Sequence, residues 1–178
     1  MPLQTYELIA SSTVGSGGAS AIDFTSIPGT YTDLLLKVSA RNNVTTSSGY
    51  MRVEFNGVTT NFSSRVLYGT GSATGSFTPT SPYGFVFFYN NTDQATASTF
   101  GNAELYIPNY TGSTNKSISV DSVTENNATT ASSSLTAGLW SNTAAITSIK
   151  LTTYNNSTDA AANFVQYSTA YLYGIKKD

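Results

Sequence analysis

No window of about a dozen residues in this chain sets apolar side chains at the 3.6-residue spacing of an amphipathic helix. Ser, Thr, Asn and Gly, all weak helix formers, fill the intervals instead. What recurs is alternation with a period of two, the signature of strands that lay one face on a core. Thr5 to Ile9 reads as a first strand and Ala21 to Phe24 as a second, after the loop Gly15-Ser16-Gly17-Gly18. Pro28-Gly29 makes a turn, because Pro presets φ and Gly tolerates the left-handed region.

Asp33 to Arg41 is the clearest strand: Leu34, Leu36, Val38 and Ala40 share one face, and Leu35, Lys37, Ser39 and Arg41 the other. Tyr50 to Phe55 follows, with Met51, Val53 and Phe55 inward and Arg52 and Glu54 outward. Asn56-Gly57 then carries a tight-hairpin signal, since both residues accept positive φ. Further strands are predicted at Ser64 to Tyr68, Tyr83 to Tyr89, Ala103 to Ile107, Ser117 to Val123, Leu135 to Ser141, Ile146 to Thr153 and Thr169 to Ile175. Polar loops, notably Gly69 to Gly75 and Asn126 to Ser134, separate them. Many strands with frequent turn signals and no crossover helices predict one antiparallel β-sandwich of jelly-roll type over residues 1–178, with 1–20 as a partly flexible N-terminal arm.

The same sequence excludes much chemistry. It holds no His and no Cys, so Ser/His/Asp and Cys/His nucleophilic catalysis and imidazole or thiolate metal sites have no side chains to use. Eight Lys and Arg are scattered and the net charge is -2, whereas a nucleic-acid partner requires basic side chains gathered on one face. No run approaches a membrane span, and Met1-Pro2-Leu3-Gln4 has neither a charged nor an apolar leader character, so cytoplasmic synthesis without export is expected. Triplets such as Asn43-Val44-Thr45, Asn61-Phe62-Ser63 and Asn109-Tyr110-Thr111 then read as chance products of composition rather than glycan acceptors. A hydroxyl-rich, charge-poor β surface made without an export signal fits a virion protein, built inside a host and exposed after lysis.

Paired carboxylates remain as candidate acid–base groups: Asp23, Asp33, Glu54, Glu104, Asp121 and Glu125. The simpler readings are an ion pair of Glu54 with Arg52 and a turn role for Asp33. Asn90-Asn91-Thr92-Asp93 and Asn155-Asn156-Ser157-Thr158-Asp159 offer oxygens to calcium, but Asx turns explain them better. The Gly15–Gly18 loop lacks the Lys-Ser/Thr and the helix of a phosphate cradle. No catalytic residue, cofactor or metal is predicted. Trp140, inside an apparent strand, reads as core.

Two strands are apolar on both faces, Phe85-Val86-Phe87-Phe88-Tyr89 and Tyr171-Leu172-Tyr173-Gly174-Ile175. A strand in a two-layer sandwich has one face on the core, so the other needs cover from a loop or a neighbouring subunit. Phe85, Phe87, Tyr89, Tyr171 and Tyr173 are therefore the predicted interface residues.

Several segments together carry a family likeness: Tyr6-Glu7-Leu8-Ile9, the run Ile22-Asp23-Phe24-Thr25-Ser26-Ile27-Pro28-Gly29-Thr30-Tyr31-Thr32-Asp33-Leu34, Val53-Glu54-Phe55-Asn56-Gly57, Asn61 to Gly69, and Tyr171-Leu172-Tyr173-Gly174-Ile175. In these the chain resembles small virion structural proteins of tailed bacteriophages. The resemblance implies a jelly-roll subunit, a homotrimer, attached to the major capsid protein as a decoration (cement) protein or to another virion protein on the tail. It transfers no catalytic residues and implies no nucleic-acid or membrane partner. The rival expectation is a receptor- or carbohydrate-binding module at a tail or fibre tip, presenting Tyr and Asn of the Gly69–Pro82 and Asn126–Ser134 loops to a host glycan. A third is a glycan hydrolase built on the carboxylates.

Overall fold

The computed structural model describes residues 5–46, 49–79, 86–125 and 131–176, and among them there are only strands, turns and loops. The strands are β1 (Tyr6–Thr13), β2 (Ala21–Phe24), β3 (Asp33–Ala40), β4 (Gly49–Phe55), β5 (Phe62–Gly69), β6 (Thr74–Phe77), β7 (Phe88–Asn90), β8 (Gly101–Ile107), β9 (Lys116–Glu125), β10 (Ala131–Trp140), β11 (Ile149–Asn155), β12 (Ala161–Ala162) and β13 (Thr169–Ile175). They form two antiparallel sheets. The large one runs β1-β13-β3-β8-β9-β10-β5-β6; the small one runs β11-β4-β7, with β2 and β12 on the free side of β11.

Removing two hairpin insertions exposes the plan. The quartet β1-β13-β3-β8 faces the quartet β2-β11-β4-β7, and the chain alternates between the two sheets except from β4 to β7, which lie side by side in the small one. That is jelly-roll connectivity, two Greek keys wrapped into a sandwich. The insertions β5-β6 and β9-β10 both join the β8 edge, extending the large sheet from four strands to eight. Long strands of alternating polarity made this legible.

The predicted inward residues of β3 and β4 are buried, and they meet Ile22 and Phe24 from β2, Ile149 and Leu151 from β11, and Leu172 from β13. Each such side chain contributes roughly 1.5–3 kcal/mol on burial. Trp140 is fully buried, edge-on to Phe55 at 5.4 Å and stacked on Phe62 at 6.1 Å, as core placement required. A second cluster of Tyr50, Val66 and Phe87, with Phe77, Tyr89 and Tyr154 packed on it, lies where β5-β6 folds over the small sheet.

Several expectations need correcting. The predicted first strand, Thr5–Ile9, is present but longer: Tyr6–Thr13 forms the edge strand of the large sheet, paired with β13 from Tyr6↔Ile175 to Thr13↔Thr169 with one register shift between Leu8 and Ala10. Asn56 and Gly57 do take φ of 54° and 71°, and the Val58 amide donates to the Phe55 carbonyl, but β4 and β5 do not pair. The chain crosses to the other sheet instead. The Asn56 side chain explains why the turn is kept: its Nδ2 donates to Ala145 O at 2.8 Å, and its Oδ1 accepts from the amides of Thr147 at 2.8 Å and Ser148 at 3.1 Å. β6 lies where a polar loop was expected. It is held by backbone pairing to β5, which requires no apolar alternation.

Candidate functional site on the outer face of the large sheet

The outer face is assembled by register. Across one row lie Leu8, Tyr173, Leu35, Tyr106, Ser119, Ala137 and Arg65; across the next lie Ser11, Tyr171, Lys37, Glu104, Asp121, Leu135 and Leu67. Chemistry divides this face into an aromatic zone on β1-β13-β3-β8 and an aliphatic zone on β9-β10-β5.

In the aromatic zone Leu35 points outward yet is almost completely covered, set between Tyr173 and Tyr106 with Tyr6 nearby. Lys37 and Glu104, directly opposite on β3 and β8, form an ion pair at 2.9 Å. The hydrogen bond to Glu104 raises the Lys37 pKa. Tyr106 donates to Asp33 Oδ2 at 2.8 Å, and Asp33 Oδ1 accepts the Asn109 amide at 2.8 Å. The Asp33 bond is the main reason the Tyr106 pKa is raised. Asp33 is thus engaged in holding a turn against a strand, the simpler role expected for it.

The aliphatic zone is a ridge between hollows. Leu135 and Leu67, paired across β10 and β5, are 61% and 57% exposed, and Val123 and Leu139 add to the same surface. On one side of the ridge is a groove of about 770 Å³ with the small side chains of Ser119 and Ala137 in its lining and Tyr106 and Glu104 beyond them. On the other is a hollow of about 540 Å³ lined by Ser133, Gly69 and Val123.

Directly behind Leu135 the usual polarity is reversed, although Val66, Ile118, Val120 and Trp140 keep the rest of that inner side apolar. The buried side of the same strands carries Ser122, Ser134 and Thr136. Those hydroxyls have work inside the chain: Tyr89 N donates to Ser122 Oγ at 3.1 Å, Ser122 and Ser134 share a 2.7 Å hydrogen bond, and Thr136 Oγ1 donates to the Phe87 carbonyl at 2.7 Å. They satisfy backbone groups that β7, an edge strand, would otherwise leave buried and unpaired. The leucines opposite them have no such task.

The predicted interface residues fall in two places. Tyr171 is 39% exposed on the aromatic zone, opposite Lys37, and Tyr173 is partly covered between Leu8 and Leu35. Phe87 is buried within the second cluster, and half-buried Tyr89 packs edge-on to it at 4.8 Å. Phe85 lies outside the described residues. Of the predicted strand Tyr83–Tyr89, residues 83–85 lie outside the described residues; β7 spans Phe88–Asn90, and Val86 and Phe87 lead into it as buried chain. Leu67, Val123 and Leu135 were missed. The alternation of Leu135, Ala137 and Leu139 with Thr136 and Gly138 was the signal available.

The carboxylates disperse. Arg52 pairs with Asp159 rather than with Glu54, because the loop after β11 carries Asp159 over the face where Arg52 lies. Asp23 and Glu54 both stand opposite Lys150 on β11. Only Glu104 and Asp121 are cross-strand neighbours, and Glu104 already pairs with Lys37. The calcium loops behave as turns and latches. Asn155 Oδ1 accepts the Ser157 amide at 2.8 Å, while Asn90 and Asn91 turn their amide nitrogens onto Thr153 Oγ1 and Thr99 Oγ1. Among the described residues no three acidic groups stand together as metal ligands.

Fold and surface define a class: an all-β jelly-roll sandwich with an extended sheet whose outer face carries an exposed aliphatic ridge. The chain matches no protein-family model and no curated protein sequence.

Proposed function

We propose that this chain is a non-enzymatic structural subunit of a tailed-bacteriophage particle, a homotrimeric capsid decoration (cement) protein that bridges capsomers of the major capsid protein. The observation that carries the reading is the exposed aliphatic patch of Leu67, Val123, Leu135 and Leu139 on the β9-β10-β5 part of the large sheet. Contiguous apolar surface of this kind marks interaction sites on soluble proteins. Jelly rolls serve both capsid and lectin domains, and the charge-poor exterior suits a particle surface. The mechanism is mechanical. Subunits seated across capsomer boundaries bury apolar area that genome pressure must re-expose before the shell opens.

Quantitative mass spectrometry of purified particles tests this. A fixed ratio to the major capsid protein, with particles lacking this chain releasing DNA at lower temperature, is the expected result. A few copies confined to tail fractions, with saturable adsorption to host glycans, overturns it in favour of the receptor-binding module. That rival drew on loops whose residues 80–82 and 126–130 lie outside the described residues, and Tyr68 beside them packs on Phe77 at 5.9 Å.

A further inference from the structure

We propose that the aliphatic ridge is the seam between copies of this chain, Leu67 and Leu135 of one copy seating in the Ser119–Ala137 groove of the next. The inference rests on the subunit reading above and deepens it by naming the contact.

Shape supplies the first argument. A ridge and a groove of about 770 Å³ lie side by side on one face, so the surface is complementary to itself. The ridge is two leucines wide; the groove is lined where Ala137 and Ser119 pair, two of the smallest side chains available. A ridge entering the groove of a second copy forms a contact that repeats, and it closes into a ring if the rotation allows.

Polarity supplies the second. The hydroxyls under the ridge are engaged by β7, whereas nothing in the described chain covers the leucines. Charge supplies the third. The face carries Lys37 and Arg65 beside Glu104 and Asp121, which suits a copy of itself and repels neither sign wholesale. A polyanion or an anionic bilayer calls for the opposite arrangement, a cluster of one sign.

The test is sedimentation velocity on the full chain over a wide concentration range, with two variants. Leu135→Glu removes the ridge, and Ala137→Trp fills the groove. Both positions are exposed, so circular dichroism should report unchanged folds. Wild type is expected to associate, and each variant to associate about 30-fold or more weakly, the effect of losing a hot spot. A wild-type monomer at all concentrations, or retained association in either variant, overturns the seam. A groove that takes up an oligosaccharide while the chain stays monomeric overturns it too. None of these outcomes bears on particle location, so the subunit reading fails separately, by absence from the capsid.

Discussion

On the outer face of the small sheet, Tyr50 stacks on Phe87 at 5.0 Å and on Tyr154 at 5.5 Å, and the Arg52 guanidinium lies 4.0 Å from the Tyr154 ring centroid. Phe77 closes over Phe87 from the inserted hairpin. On the outer face of the large sheet, Leu67 and Leu135 stand bare. The small sheet's apolar exterior is finished by its own chain, through a third layer that the β5-β6 insertion supplies. The large sheet's exterior has no such layer among the described residues. The contrast separates aromatic side chains that stabilise the monomer from aliphatic ones that contribute little to it.

Substitutions can break or sharpen that contrast. Phe87→Ala is expected to cost about 3–5 kcal/mol in chemical denaturation, as a buried ring removed from a packed cluster does. A loss under 1 kcal/mol shows that the third layer is not structural. Arg52→Ala should cost about 1–2 kcal/mol, because it removes both the ion pair to half-exposed Asp159 and the guanidinium over Tyr154. Raising the salt concentration should recover little of that, since the stacked contact is not screened as a surface pair is.

Alkaline titration probes the same cluster. Burial, and then the hydrogen bond to Asp159, push the Tyr50 phenol well above its ordinary pKa. Tyr89 is raised by burial as well. A phenol whose folded pKa is raised contributes stability that is complete below about pH 10, its unfolded value, and that is lost as pH climbs toward the folded value. Stability should therefore fall above about pH 10, by up to about 1.4 kcal/mol per pH unit for each such group. Tyr50→Phe should make the fall shallower; an unchanged slope shows that Tyr50 titrates alike in both states. The smallest effect is expected on the large sheet. Leu135→Ser should leave monomer stability within about 0.5 kcal/mol while lowering the binding of a hydrophobic dye. A loss above 2 kcal/mol means the ridge is core after all.

Much of the fold was readable in the residues. β2 and β13 begin and end where alternation and turn signals placed them, and Trp140 is core. These elements bury one face against a single apolar layer, the condition under which period two reports structure. The misreadings share a cause. Alternation tells which side chains share a face but not which face is inside. Where β9 and β10 face β7, the inner side must satisfy the backbone of β7, so Ser122, Ser134 and Thr136 are buried there while Leu135 on the other face is not. The Asn56-Gly57 turn was legible as a turn, but what followed depended on contacts to residues 145–148, far along the chain. The partner of Arg52 was hidden for the same reason.

The position of β13 between β1 and β3 sets a clock. Its residues, 169–175, are late in the chain, yet its two neighbours end at Thr13 and Ala40. At about 5–20 residues per second, a ribosome takes on the order of ten seconds to travel from β3 to β13. For that interval Leu34, Leu36 and Val38 wait on a strand with an open edge, in a topology whose distant pairings are slow to close. The newborn chain is therefore most vulnerable to mispairing just before its last strand arrives.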